Sequence, residues 1–262
     1  MDRQTLDNLK EWFSAYCRTF SLPDPEERRN ISLKEEHTHR VCDNMTAIAA
    51  GLSLDEGGVM LAESVALFHD VGRFSQYLRY RTFNDSVSVN HAALGARVLI
   101  EDNVLEHVEL REQALIIRAV TLHNVFVIPG GLDPESLLFL KMVRDADKLD
   151  IWRIFIEQSS TRPEERASAV NLGLPDTAVC SAPVLEALRR KELVQYSSLR
   201  TVNDFRLLQL AWVFDLNFDV SLRMVAERRY IEGIASLLPD TGEIRDALDF
   251  VRQYLSSRLR SA

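Results

Sequence analysis

A chain of 262 residues with 46% hydrophobic side chains, and no break rich in Pro, Gly or Ser, can bury a sizeable core as one large domain or one domain plus an extension. A formal net charge of −8 argues against a general nucleic-acid-binding or anionic-membrane surface, because phosphate backbones attract basic faces, although a locally positive site for a small anion stays open. Cys17, Cys42 and Cys180 show no paired spacing, the opening MDRQTLDNLKEW is too polar for a secretory signal, and no apolar run approaches bilayer length. A reduced, cytoplasmic protein is therefore expected.

Periodicity is helical almost throughout, and alternating β-branched residues are nearly confined to VFVI at 125–128, so the predicted fold class is all-α. Pro23 and Pro25 break the chain after a first helix, and a second is predicted to begin near Ser32 and stop at Gly51. Ser53-Leu-Asp-Glu56 has the composition of a capping box, with Ser53 as acceptor, for a third. That helix should end in ALFHDVGRF at 66–74, with Gly72 helping to terminate it. Asp133-Pro134-Glu135 opens a long helix through SLLFLKMVRDADKLDIWRIF, proline being tolerated in the first turn. From about 157 to 182 the chain turns polar, with Pro163, Gly173 and Pro175, and reads as a connecting segment; 183–260 reads as further amphipathic helices such as DFRLLQLAWVFDL. The predicted division is 1–156 and a C-terminal helical extension, 157–262, packed on it.

Helical phase sorts the histidines. His37 shares a face with Val41, Asn44, Met45 and Ile48, whereas His39 is turned about 200° away. His69 lies on the stripe of Ala62, Val65 and Ala66 with Asp70 beside it; His91 heads HAALGARVL, and His123 ends a stripe of Ile116, Ala119 and Val120. A single inward imidazole is ordinarily a core residue bonded to a carbonyl. Four together, with an aspartate, point to a metal site between helices, because a divalent cation offsets the cost of burying a carboxylate and neutral imidazoles fill its remaining positions.

HTHRV at 37–41, HDVGRF at 69–74 and DADKLD at 145–150 resemble, in that order, the motifs of the HD-domain superfamily of metal-dependent phosphohydrolases. The resemblance covers about residues 32–156. It implies an HD-domain-like helical bundle, here with additional C-terminal helices, and a metal held by His37, His69, Asp70 and a later aspartate. Phase does not separate Asp145 from Asp147; the family's Ala-Asp-x-Leu favours Asp147, with Asp145 as the competitor. Members with two metals add histidines from the intervening helices, which implies His91 and His123 on a second ion with Asp70 bridging, unless these two only contact substrate phosphate. Arg73 stands where many relatives carry lysine, and its fork can hold phosphate oxygens.

What the resemblance implies about function is hydrolysis of a phosphate ester of a nucleotide or related small metabolite by a metal-bound hydroxide. Asp70, Arg73 and Lys148 are the catalytic candidates, with Lys148 either stabilising the phosphoryl group or remaining a solvated helix residue. One or two divalent ions are expected, whether Mn, Fe, Ni, Co, Zn or Mg. The expected partner is a small phosphorylated substrate; no membrane or general nucleic-acid partner is expected, and sequence leaves the oligomeric state open. Two rivals stand beside this reading: a diiron oxygenase of similar helical fold, and a non-catalytic nucleotide-sensing module. QYLRYRTFNDSVSVNH, between the His-Asp pair and His91, carries Arg79 and Arg81 as candidates for the mouth of the site and Tyr77, Tyr80 and Phe83 as packing residues.

Overall fold

Aspartates begin the first helices. In the computed structural model, which describes residues 1–162, 165–168 and 173–261, α1 (Arg3–Arg18) starts where Asp2 Oδ1 accepts from the Thr5 amide at 2.8 Å. α2 (Pro25–Gly51) begins seven residues before the predicted start at Ser32. Pro25 takes the first helical position, where its missing N–H would have had no partner, and Asp24 Oδ1 accepts from the Glu26 and Glu27 amides at 2.8 and 2.9 Å. The consequence is that Lys34 and His37 sit inside a helix.

Ser53 is not the cap of α3 (Glu56–Phe68). Its φ of 58° puts it in the left-handed region just beyond the end of α2, and Asp55 caps instead, accepting from the Gly58 amide at 2.8 Å. Gly72 likewise does not end α3; it opens α4 (Gly72–Tyr80). A Cβ there would stand 2.2 Å from the His91 carbonyl oxygen and 2.5 Å from the Gly95 amide nitrogen, so only glycine lets α5 (His91–Glu101) approach α4 this closely.

α6 (Leu110–Leu122) follows, and then α7 (Pro134–Ser160), opened as predicted at Asp133, whose Oδ1 accepts from the Ser136 amide at 2.8 Å. VFVI at 125–128 forms no strand: Phe126 and Val127 lie exposed in the loop between α6 and α7. All regular structure among the described residues is helical, and none of these helices is long and apolar enough to cross a membrane.

The chain divides into two compact units, Met1–Asp150 with Ala167–Val170, and Ile151–Arg166 with Asn171–Ala262. The division falls inside α7, at 150/151 rather than at the predicted 156/157; the break foreseen at Pro163 lies outside the described residues. In the first unit α2 packs against α3, α4 against α5 and α5 against α6. Its core is built from Phe13, Val41, Met45, Ile48, Phe68, Phe74, Ile116, Leu140 and Val143, all buried, each worth about 1.5–3 kcal/mol for the larger side chains. In the second unit α8 (Ala182–Arg189), α9 (Val202–Ala211), α10 (Asp219–Glu227), α11 (Tyr230–Ala235) and α12 (Gly242–Ser261) accompany the end of α7. Trp152 is fully buried there, its indole N–H donating to the Gln209 carbonyl at 3.1 Å. The run DFRLLQLAWVFDL is helical only to Ala211, tightening to a 3₁₀ turn at Trp212–Asp215.

Candidate metal centre

His69 and His123 are placed by the same local device. Each is the residue immediately after a helix, α3 or α6, and each ring donates Nδ1–H to a carbonyl of the last turn three residues back: Ala66 at 2.7 Å and Val120 at 2.8 Å. The last carbonyls of a helix lack intrahelical partners, so the ring satisfies one of them and is locked by it. The negative ends of both helices are thereby brought to the site, a setting that favours a cation.

His37 and His91 are backed by carboxylates instead. His37 Nδ1 donates to Asp150 Oδ2 at 2.7 Å, and His91 Nδ1 to Asp85 Oδ2 at 2.7 Å. All four histidines and Asp70 are buried, with the His37 and His69 side chains fully out of solvent.

With every Nδ1 donating, each ring in its neutral form presents an Nε2 lone pair, and these nitrogens converge. His37 Nε2 lies 3.3 Å from His69 Nε2, and His91 Nε2 lies 2.9 Å from His123 Nε2. Asp70 joins the two pairs through different oxygens: Oδ2 is 3.5 Å from His37 Nε2 and 3.8 Å from His69 Nε2, while Oδ1 is 3.2 Å from His91 Nε2 and 3.7 Å from His123 Nε2. Asp147 Oδ1 completes the first group at 3.1 Å from His37 Nε2 and 3.8 Å from His69 Nε2. Donors about 2.1 Å from one ion stand about 3.0 Å apart in octahedral and about 3.4 Å apart in tetrahedral geometry. The spacing fits, and the clusters His37–His69–Asp70 and Asp70–His91–His123 could each hold a metal ion.

The electrostatics agree with that donor chemistry. Burial pushes the His69 imidazolium down to about 4, and burial with the Arg73 charge lowers His91, so both rings are neutral ligands near pH 7. Burial and Lys34 oppose a proton on His37, but the hydrogen bonds of Asp147 and Asp150 and the charge of Asp147 outweigh them and raise it. Burial would raise Asp70 and Asp147; the charges of Lys34, His69 and Arg73 on the first, and the bond and charge of His37 on the second, instead hold both carboxyls well below the usual range.

Of the residues proposed from sequence, His37, His69, Asp70, His91, His123 and Asp147 come together. Asp145 is fully buried two positions from Asp147, about 200° around the same helix, and the oxygen that reaches His37 and His69 is that of Asp147. Arg73 turns back onto the protein: Nε lies 3.4 Å from Asp70 Oδ1, and Nη1 donates to Asp85 Oδ1 at 2.8 Å, Gln76 Oε1 at 3.0 Å and the Phe83 carbonyl. Lys148 donates to the Arg144 carbonyl of its own helix at 3.4 Å. Arg81 pairs with Glu27 at 2.9 Å, and Tyr77 packs on Phe83 with ring centroids 5.0 Å apart.

Three polar residues escaped the sequence reading. Lys34 Nζ lies 2.8 Å from Asp70 Oδ2 and 5.3 Å from the Phe83 ring centroid; its signal is its position one turn before His37 on the same face. Asp150 had a similar signal, three residues after Asp147. Asp85 had none, because it stands on a 3₁₀ turn (Asp85–Val87) where helical phase does not apply.

Comparison of the chain with protein-family models, curated proteins and solved structures gives no match.

Proposed function

We propose that the chain is a metal-dependent phosphohydrolase with an HD-domain-like first unit, acting on a phosphate ester of a nucleotide or related small metabolite. The observation that carries this is the convergence of four imidazole lone pairs on the two oxygens of one buried aspartate. The order of the motifs HTHRV, HDVGRF and DADKLD supports it independently. The three cysteines are free, which suits a reducing cytoplasm.

In this reading His37, His69, Asp70 and Asp147 hold one divalent ion, and Asp70, His91 and His123 hold a second. Such ions, when bound, lower the pKa of a water and neutralise charge on phosphoryl oxygens. The protein's own groups do the rest. Neutral imidazoles hold the charge without cancelling it, Asp70 fixes the spacing between the groups, and Asp85 and Asp150 fix the rings. Lys34, part-buried beside Asp70, is the cation placed to meet a phosphoryl oxygen. Arg73 braces Asp70 and the 83–85 segment.

The test is a screen of nucleotides and small phosphomonoesters with purified protein and added Mn²⁺, Co²⁺, Ni²⁺, Fe²⁺, Zn²⁺ or Mg²⁺. Release of phosphate or nucleoside, lost on chelation, is the expected result. Metal-replete protein that turns over none of them counts against the proposal, and dioxygen consumption with retained iron would replace it by the oxygenase reading.

A further inference from the structure

Asp85 is richly connected beside the second cluster, yet it belongs to no α-helix and not to the converging set. Its Oδ2 accepts from His91 Nδ1 at 2.7 Å, from the His91 amide at 3.4 Å and from Asn124 Nδ2 at 3.3 Å. Its Oδ1 accepts from Arg73 Nη1 at 2.8 Å and Gln76 Nε2 at 2.9 Å. Gln76 is fully buried in α4 and donates also to Ser88 Oγ and the Val89 carbonyl, each at 2.9 Å, so the segment just before His91 is stapled to the helix that follows Asp70.

We propose that Asp85 is a positioning residue that sets the orientation of His91 and thereby the occupancy of the second cation group, Asp70–His91–His123. This rests on the metal reading above. The two groups differ in what holds them. The first has four protein donors, two of them carboxylates, and the carboxylate behind His37 is almost wholly buried (Asp150 side chain 1% exposed). The second has three donors, shares its one carboxylate, and depends for His91 on a residue of a short 3₁₀ turn whose side chain is 30% exposed. His123 needs no such help, since its ring is locked by its own helix. A carboxylate on the far nitrogen both aims an imidazole and strengthens it as a donor, and losing one typically costs about 10–100-fold in metal affinity. The second group is thus the weaker, exchangeable one, with Asp85 as its control point.

The experiment is a Mn²⁺ titration of the full chain, followed by elemental analysis after dialysis and by electron paramagnetic resonance, on the unaltered protein, Asp85→Asn and Asp85→Ala. Asparagine keeps an acceptor for the His91 N–H without the charge; alanine keeps neither. The unaltered protein is expected to bind two ions and show a spin-coupled pair. Asp85→Ala should keep the first ion at nearly unchanged affinity, lose about 10–100-fold for the second, and show an isolated-ion spectrum, with Asp85→Asn in between. Unchanged second-ion affinity in both variants, or equal loss of both ions together with a lowered melting temperature, would overturn the role of Asp85 and leave the metal reading standing. An unaltered protein that binds no second ion would overturn the second cation group and with it the role of Asp85, and one that binds no ion at all would overturn the metal reading as well.

Discussion

Asn44 Nδ2 donates to the main-chain carbonyl of Ala146 at 3.0 Å, and with the bond from His37 Nδ1 to Asp150 Oδ2 it ties α7 to α2. Asn44 is two turns beyond His37 on the same face, and Ala146 directly precedes Asp147, so the bond holds the imidazole and the carboxylate in register. Removing the side chain deletes one buried hydrogen bond to a carbonyl in the middle of α7, at about 0.5–1.5 kcal/mol. Asn44→Ala is expected to lower unfolding stability by that order in denaturant titration and to weaken binding of the first ion. Unchanged stability and metal affinity would show that the register is set elsewhere.

The aspartates should separate cleanly in metal content. Asp70→Ala is expected to lose both ions because each oxygen serves a different group. Asp147→Ala should weaken the first ion and spare the second, and Asp145→Ala should leave both while lowering stability. Elemental analysis of the three dialysed variants measures this; retention of two ions by Asp70→Ala would contradict it.

Gly72 should tolerate no side chain. A methyl group 2.2 Å from the His91 carbonyl must push α5 from α4, and overpacking of this kind costs about 1–3 kcal/mol or more. Gly72→Ala is expected to lower the melting temperature and the affinity of the His91 group together. Gly242→Ala, where a Cβ meets nothing, is the control expected to do neither.

Metal affinity should rise with pH. A cation displaces a proton only where the free protein carries one, and His37 is the imidazole whose pKa is raised above its usual 6.5, whereas His69 and His91 are lowered and already neutral at pH 7. Proton competition therefore falls away as pH climbs through the raised His37 value. Calorimetry in buffers of different ionisation enthalpy should find proton release on binding the first ion that diminishes as pH rises. Release of none would show that His37 is neutral in the free protein.

Lys34→Met is expected to keep its metal and lose rate. Removing one preorganised contact to developing charge typically costs about 10²–10³ in kcat. Lys148→Met should cost far less. The reverse order in steady-state kinetics would favour Lys148 over Lys34 as the cation that meets the phosphoryl group.

Helical phase made much of this arrangement legible. It turned His37 inward and His39 outward, and the structure buries the first while leaving the second exposed beside Phe13. It could not choose between Asp145 and Asp147, because α7 is buried on nearly every side and both phases carry apolar companions. It misplaced the start of α2, where the cap of Asp24 outweighed the expectation that Pro25 would interrupt, and the start of α3, where Ser53 took the left-handed position instead of the cap. Gly72 was read as a helix stop when its role is the contact with α5, a relationship between residues distant in sequence. For the same reason Asp85 stayed invisible: it acts through a loop whose geometry is set by Gln76 and Arg73, and no period announces it.

The most direct measurement is anomalous diffraction from crystals of the full chain grown with Mn²⁺. Two peaks are expected within the first unit, one against His37, His69 and Asp147, the other against His91 and His123, with a different oxygen of Asp70 on each. No peak at these side chains, or one ion bound elsewhere with the four imidazoles left facing each other, would contradict it.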